Sequence, residues 1–458
     1  MWRDCEAICA LPIAELRLLP MKWQIALLVV SVAGCCEFAT AQSQPQPSGE
    51  IILKAAKILD VRKGAYVENA AVWIEGERIK EVGRGADVQA RAPKDAKVID
   101  LGRATLLPGL IDCHTHIMAR IPDSDDGYIV NLATKSQAFR ALEGAYNARI
   151  TLEAGYTTIR DVESEGSEYA DVALRDAIKQ GLVEGPRMQV ATRAIAAVGQ
   201  YNPFGVSPDL HDFPTGAQMI SGVDEARRAV REQIGHGADL IKVYADWENP
   251  TLTIEEMSVI VDEAHKQHRK VAAHATTPDG IKNAVTAGVD SIEHGHRINR
   301  EDLELMKAKG TFLVPTTGVI DLDLENANQK KPFTPEERQH VGAFLEGIRQ
   351  EIQMAKSLGV KIAAGFDPAS AGTHGKNATE LEAMTKRGLS PLEAIQAATI
   401  RAAELLSWQD QVGAIEAGYY ADIIAVNGDP LADISTVQHV KFVMKGGTVV
   451  KGSPIGGS

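Results

Sequence analysis

The chain is poor in aromatic residues: Phe, Trp and Tyr make up only 5% of its 458 residues. A surface that stacks nucleobases needs such rings. A basic excess is absent too. The formal net charge is -13, which excludes a general nucleic-acid-binding face. Cysteine is scarce where a disulfide framework would need it. Of five cysteines, Cys5, Cys9, Cys35 and Cys36 lie in the first 36 residues, and only Cys113 follows. The body of the chain therefore has no disulfide scaffold. What is present, 45% apolar and 24% charged residues, suits a globular enzyme.

The N-terminus reads as a leader. Met21-Lys22-Trp23 gives a basic start, Gln24 to Gly34 an apolar core, and Ala39-Thr40-Ala41 a small-residue cleavage site. These are the parts of a secretory signal peptide over residues 1–41, with Met21 as an alternative start. The apolar core is short for a bilayer span, so no transmembrane segment is expected in the mature chain. Val32-Ala33-Gly34-Cys35 also resembles a bacterial lipobox, and lipid on Cys35 is the alternative to cleavage after Ala41. Either way an exported bacterial protein, periplasmic or secreted, is expected. Residues 42–50 read as a polar linker.

Both ends of the remaining chain are β-rich. Ile51–Ala55, Ala71–Ile79 and Lys97–Gly102 alternate apolar and polar residues near the start, and Ala421–Val426 and Val440–Val450 do so near the end. One discontinuous β-sandwich domain is expected, from 51–105 and 410–455. The middle, 106–409, repeats a different unit: an amphipathic helix, a glycine, then a short apolar strand. Gly155, Gly237, Gly288, Gly310 and Gly359 stand where a left-handed helix cap is needed. With Leu106–His116, Arg187–Ala194 and Lys270–His274, the apolar segments make eight strands. Alternating helices and continuous apolar strands mean a parallel sheet. Eight units fit a (β/α)8 barrel; a doubly wound sheet is the alternative.

Barrel chemistry sits at the C-terminal ends of the strands. The first strand ends in His114 and His116, which share a face because side chains alternate with period two. The fourth carries Lys242 and Tyr244, also of one parity. The fifth ends in His274, the sixth in His294 and the eighth in Asp367. Imidazole and carboxylate are zinc ligands, and here they recur at equivalent places far apart in sequence. Asp112 is read as structural, Cys113 as packed away from the ligand face, and Glu163 is left without a role.

From Ile51 to Val450 the sequence resembles the amidohydrolase superfamily, in particular its Xaa-Pro dipeptidase and imidazolonepropionase-like group. The resemblance rests on Leu107-Pro108-Gly109-Leu110-Ile111-Asp112-Cys113-His114-Thr115-His116, on Ile241-Lys242-Val243-Tyr244 and on His374-Gly375-Lys376-Asn377-Ala378-Thr379-Glu380-Leu381. It implies two divalent metal ions, zinc foremost. His114, His116 and Asp367 would hold one, His274 and His294 the other, and Lys242, carboxylated by CO2, would bridge them. It further implies that a metal-bridging hydroxide attacks an amide carbonyl. Asp367 would move the proton, and Tyr244 would donate a hydrogen bond to the forming oxyanion. The expected substrate is a small molecule, a dipeptide or N-acyl amino acid. Relatives of this kind often assemble, so a homo-oligomer is expected.

One segment departs from the dipeptidase pattern. Where many such relatives have Gly-Gly-His-Gly after the third strand, this chain has Val198-Gly199-Gln200-Tyr201-Asn202. Tyr201 becomes a candidate substrate contact, as does His374 after the eighth strand. The change points towards bulkier amides, such as ochratoxin-type amides, or aryl ureas, carbamates and lactones. A deaminase on this fold would place a glutamate near the fifth-strand histidine, and none follows His274. A binding protein without catalysis has no reason to keep six ligands.

Overall fold

The computed structural model describes residues 49–122, 124, 126–201, 207, 209 and 213–452. The expected leader, including Cys35 and Ala41, lies outside the described residues, as does the stretch after Tyr201 from Asn202 to Val206.

The terminal strands meet in one eight-stranded sheet. Glu50–Asp60 pairs antiparallel with Ala65–Glu75 and parallel with both Lys97–Asp100 and Thr105–Pro108. Thr105–Pro108 then pairs antiparallel with Ile423–Val426, which joins the two ends of the chain. Alternation buries Leu53, Val72, Ile74, Ile99, Leu106, Ile423 and Phe442 together. An arginine ties this sheet to the middle of the chain. Arg187 donates to Asp422 (Nε to Oδ2, 3.0 Å), and the Tyr420 ring lies between the guanidinium groups of Arg78 and Arg187, each 3.5 Å from its centroid.

The middle is the expected (β/α)8 arrangement. Its parallel strands are Leu110–Thr115, Tyr156–Asp161, Arg187–Val190, Leu240–Tyr244, Lys270–Ala275, Ser291–His294 and Phe312–Val314. An extended segment at 360–367 takes the eighth place. Backbone hydrogen bonds run round the ring: Asp239 N to Val190 O (2.8 Å), Leu313 N to Lys361 O (2.9 Å), Cys113 N to Ala364 O (2.9 Å) and Asp367 N to His114 O (2.8 Å). The glycines expected as caps all have left-handed φ, from 74° at Gly359 to 104° at Gly237. Helix Pro278–Ala287 shows the local logic: Thr277 Oγ1 accepts from Gly280 N (3.0 Å), proline opens the first turn, and Ile281, Ala284 and Val285 face the core.

Two strands differ from expectation. The run expected as Leu106–His116 is two strands, Thr105–Pro108 in the terminal sheet and Leu110–Thr115 in the barrel. They divide at Gly109, where a Cβ would collide with the Thr157 side chain. The third strand stops at Val190 rather than Ala194, because Thr192 turns left-handed (φ 63°). Ala194–Ala197 continues beyond it as a separate strand beside Ala217–Ile220. Among the described residues no helix is long and apolar enough to cross a membrane.

Candidate metal centre

The strand ends bring His114, His116, Lys242, His274, His294 and Asp367 to one place. His114 Nε2 lies 3.3 Å from His116 Nε2. Asp367 Oδ1 is 3.1 Å from His116 Nε2 and 3.7 Å from His114 Nε2, and its Oδ2 is 3.9 Å from His294 Nδ1. The His274 and His294 ring centroids are 4.6 Å apart. Lys242 is buried among them, its Nζ 5.4 Å from the Tyr244 ring centroid. His294 (φ 68°) and Asp367 (φ 64°) have left-handed backbones that non-glycine residues seldom adopt. Strain of that kind persists where the surroundings impose it, as at functional sites.

A buried carboxylate supports His114, and a second lies close to His116 without hydrogen-bonding its Nδ1. Glu293 Oε2 is 2.7 Å from His114 Nδ1, and Glu165 Oε1 is 2.8 Å from His116 Nδ1. A carboxylate behind a ligand histidine fixes its ring and raises its basicity towards a metal. Glu293 is itself held by Arg160 (Nη2 to Oε1, 2.8 Å) and by the Ser291 hydroxyl (2.5 Å). Burial alone would raise the Glu293 carboxyl, but Arg160 and His114 hold it at about 2. Asp112 clasps the first strand to the eighth. Its Oδ1 accepts from His114 N (3.0 Å) and Phe366 N (3.1 Å), and its Oδ2 from Asn377 Nδ2 (2.7 Å).

The electrostatics favour cation binding. Burial, then the Lys242 charge, lowers His114 to about 4; His274 is lowered well below the ordinary value by the same two causes. Burial and the neighbouring His274 do the same to His294. These imidazoles are neutral at pH 7, with lone pairs available. Burial also lowers Lys242. Asp367 goes the other way: burial would raise it, yet His114 and His116 pull it below the ordinary carboxylate range. His274 Nε2 is buried with no hydrogen-bond partner. Burial favours the neutral imidazole at the orphaned His274 and at His114. At His116 burial is overcome by Glu165 and Asp367, which raise it, and a divalent ion would take the place of that His116 proton. This donor set fits zinc, and also manganese, cobalt or iron.

Beside this cluster the side chains of His116, Glu163 and Glu165 form a second group within ligand distance of one another. Glu165 escapes the sequence reading, and Glu163 has no role in it; the available signal is a pair of acids two apart just beyond an apolar strand end. Glu163 accepts from the hydroxyls of both Tyr201 and Tyr244. The Tyr128 and Tyr201 hydroxyl oxygens are 3.1 Å apart. Trp247, half-buried, stacks on Tyr244 (centroids 4.8 Å) and lies 4.7 Å from the His274 ring. Tyr201, Tyr244 and Trp247 thus make an aromatic wall next to the cluster.

His374 takes a different place. It is buried, with Nε2 2.8 Å from the Ala119 carbonyl oxygen. Its loop is held at two further points, by Asn377 on Asp112 and by Glu380 on Gly318 N. Gly318 begins the turn after Thr316, whose hydroxyl is 2.8 Å from His294 Nδ1. The loop therefore braces the segments that carry the ligands. Cys113 is packed with Ile111, Phe312 and Val314.

Known proteins share this architecture. The model of the Amidohydrolase family matches residues 105–450. An ochratoxinase from Aspergillus niger is 34% identical over 426 residues, covering 86% of this chain and 85% of its own. Its crystal structure superposes with a TM-score of 0.75 at 32% identity, over 89% of this chain and 97% of its own. A crystal structure of a Xaa-Pro dipeptidase with methionine bound in the active site gives a TM-score of 0.77 at 32% identity, over 88% of this chain and all of its own. By its barrel, its strand-end histidines and these matches over most of its length, the chain belongs to the amidohydrolase family, as a hydrolase acting on carbon–nitrogen bonds.

Proposed function

We propose that the chain is a binuclear metal-dependent amide hydrolase acting on N-acyl amino acids or dipeptides. The observation that carries this reading is the Asp367 carboxylate set among His114, His116 and His294 at the mouth of a barrel. His114, His116 and Asp367 would hold one divalent ion, His274 and His294 the other. Lys242, which burial disposes to the neutral amine that reacts with CO2, would join both as a carbamate. When bound, such ions lower the pKa of water and polarise a carbonyl.

The chain's own groups supply the rest. Asp367, a carboxylate at neutral pH, accepts a proton from the attacking water at one oxygen and delivers it to the leaving amine. Tyr244, on the same strand face as Lys242, has its one hydroxyl proton on Glu163 and would turn it to the substrate carbonyl as that oxygen becomes negative. Trp247 and Tyr201 cover the approach with apolar rings.

That wall supports a second, narrower reading: amides with a bulky, flat acyl group rather than Xaa-Pro dipeptides. The likeness to ochratoxinase points the same way. A panel of N-aroyl amino acids, N-acetyl amino acids, dipeptides, aryl ureas and lactones, assayed with zinc-loaded protein by amine or acid release, tests both readings. Turnover of amides is expected, with aroyl substrates ahead. Activity on esters or lactones alone overturns the amidase reading, and Xaa-Pro dipeptides ahead of aroyl substrates overturn the narrower one.

A further inference from the structure

We infer that Glu163 is a positioning residue, tying Tyr244 and Tyr201 into one unit that sets where the substrate carbonyl and its acyl group sit. The inference rests on the amide-hydrolase reading above and adds to it a residue that touches neither substrate nor metal.

Three observations support it. First, the Glu163 carboxylate is fully buried, and its two oxygens are divided between two different hydroxyls, Tyr201 on Oε1 and Tyr244 on Oε2. Among the described residues no lysine or arginine pairs with it. Its basic neighbour is the His116 ring, within 4.8 Å, and a carboxylate buried this deeply is costly to keep. Packing two tyrosines does not need one, since Tyr201 and Tyr244 already meet edge to face at 5.0 Å.

Second, the neighbourhood is built around that contact. A Cβ at Gly216 would collide with Glu163 Oε1 and with the Tyr201 hydroxyl. Gly216 lies outside the left-handed region. Glycine is required there for room, and the room is taken by the Glu163–Tyr201 hydrogen bond.

Third, the tyrosines do different work. Tyr244 stands against Trp247 and His274, beside the metal cluster. Tyr201 bonds with Tyr128, whose helix, Gly127–Thr134, lies beyond the first strand. A carboxylate accepting from both fixes where the two phenol oxygens stand before substrate arrives, Tyr244 then turning its proton to the substrate oxygen, and couples the reacting end of the pocket to its acyl end. Glu165 stands behind His116 and also bonds the Tyr128 hydroxyl at the far end of the link.

The test is a double-mutant cycle on the zinc-loaded enzyme with one aroyl and one acetyl amide. Glutamine keeps the shape of Glu163 but can accept from only one tyrosine and must donate to the other. Glu163→Gln is expected to lower kcat/KM on the order of tenfold, a lost hydrogen bond to a charged group. Tyr244→Phe is expected to lower it on the order of 10²-fold. With the acetyl amide, on which the Tyr201 arm bears least, the double variant should be no slower than Tyr244→Phe, since Glu163 acts there through the Tyr244 hydroxyl. The preference for aroyl over acetyl substrate should shift alike in Glu163→Gln and Tyr201→Phe. Gly216→Ala, which presses on the same contact from outside, should reproduce the shift if Glu163→Gln proves poorly folded.

Metal content per chain, measured by elemental analysis, should stay at the wild-type value in Glu163→Gln. Loss of metal there would make Glu163 a member of the His116 metal group and overturn the inference, as would full additivity with Tyr244→Phe. Wild-type enzyme that turns over no amide overturns the amidase reading itself, a result separate from either.

Discussion

The residues proposed to hold the first metal ion, His114, His116 and Asp367, and those proposed to hold or bridge the second, Lys242, His274 and His294, stand at barrel strand ends but are supported differently. Behind His114 stands Glu293, which Arg160 and Ser291 hold in turn, while Glu165 lies 2.8 Å from His116 Nδ1 without completing a hydrogen bond to it. On the other side His294 has one hydroxyl, Thr316, and His274 Nε2 has no partner. Lys242 has no ion pair among the described residues, and its charge weighs on His114, His274 and His294. The difference teaches that the first half, through His114, is the better organised before any ion arrives. The other half keeps unsatisfied groups that an ion, and a change of charge at Lys242, would settle.

The most severe way to break this contrast is at the lysine. Lys242→Ala should lose one of two metals per chain and on the order of 10⁴-fold in kcat, the upper range for a step relying on a placed acid–base system. Elemental analysis and steady-state kinetics check both. The ion held by His114, His116 and Asp367 should remain. A variant with both metals and wild-type turnover would show that the halves do not depend on Lys242.

A milder cut goes behind the histidine. Glu293→Gln leaves His114 in place but weakens the partner of its Nδ1. Loss of such a partner costs about 10- to 100-fold in metal affinity. Competition with a coloured chelator should show that loss for one ion only. Equal weakening of both ions would mean that the two halves share their support. Thr316→Val, on the opposite side, should weaken only the other ion, by about tenfold, the lower end of the same range.

Much of this site is legible in the sequence because barrels place chemistry at strand ends. His114 and His116 can be paired from period two, and His274, His294, Lys242 and Asp367 from their positions. The supporting carboxylates are harder to read, for a physical reason. Alternation puts Glu293 and His294 on opposite faces of their strand. The left-handed φ of 68° at His294 interrupts that alternation and lets both serve the cluster. Glu165 likewise has φ 50°, and nothing local announces such a turn at a glutamate. Glu163 becomes meaningful only once Tyr201 and Tyr244, distant in sequence, are seen on its two oxygens. The break at Gly109 is also a tertiary fact. Gly109 N still bonds Asp422 O in the terminal sheet while Leu110 N bonds Gly155 O on the barrel side, a change of partner that no pattern within Leu106–His116 contains.

The smallest expected effect separates the halves by pH in the metal-free protein. Glu293 is held at about 2 against an ordinary 4.5. Its folded value is depressed, so its contribution to stability is fully present above 4.5 and is lost as pH falls through about 2. His274 and His294 are lowered below the ordinary 6.5. At these two histidines the unfolded state binds more protons than the folded one just below 6.5, so their contribution to stability is lost as pH falls there, before Glu293 is affected; buried Asp112 and Asp171, raised by burial to about 7, contribute with the opposite sign. Urea unfolding across pH 7 to 3 therefore separates the halves as differences from wild type. The His274→Gln difference should change from pH 6.5 downwards, and the Glu293→Gln difference from pH 4.5 downwards. A Glu293→Gln difference that changes in the upper window instead would place the titrating charge of both windows on one shared network, and the distinction between a braced half and an open half would fail.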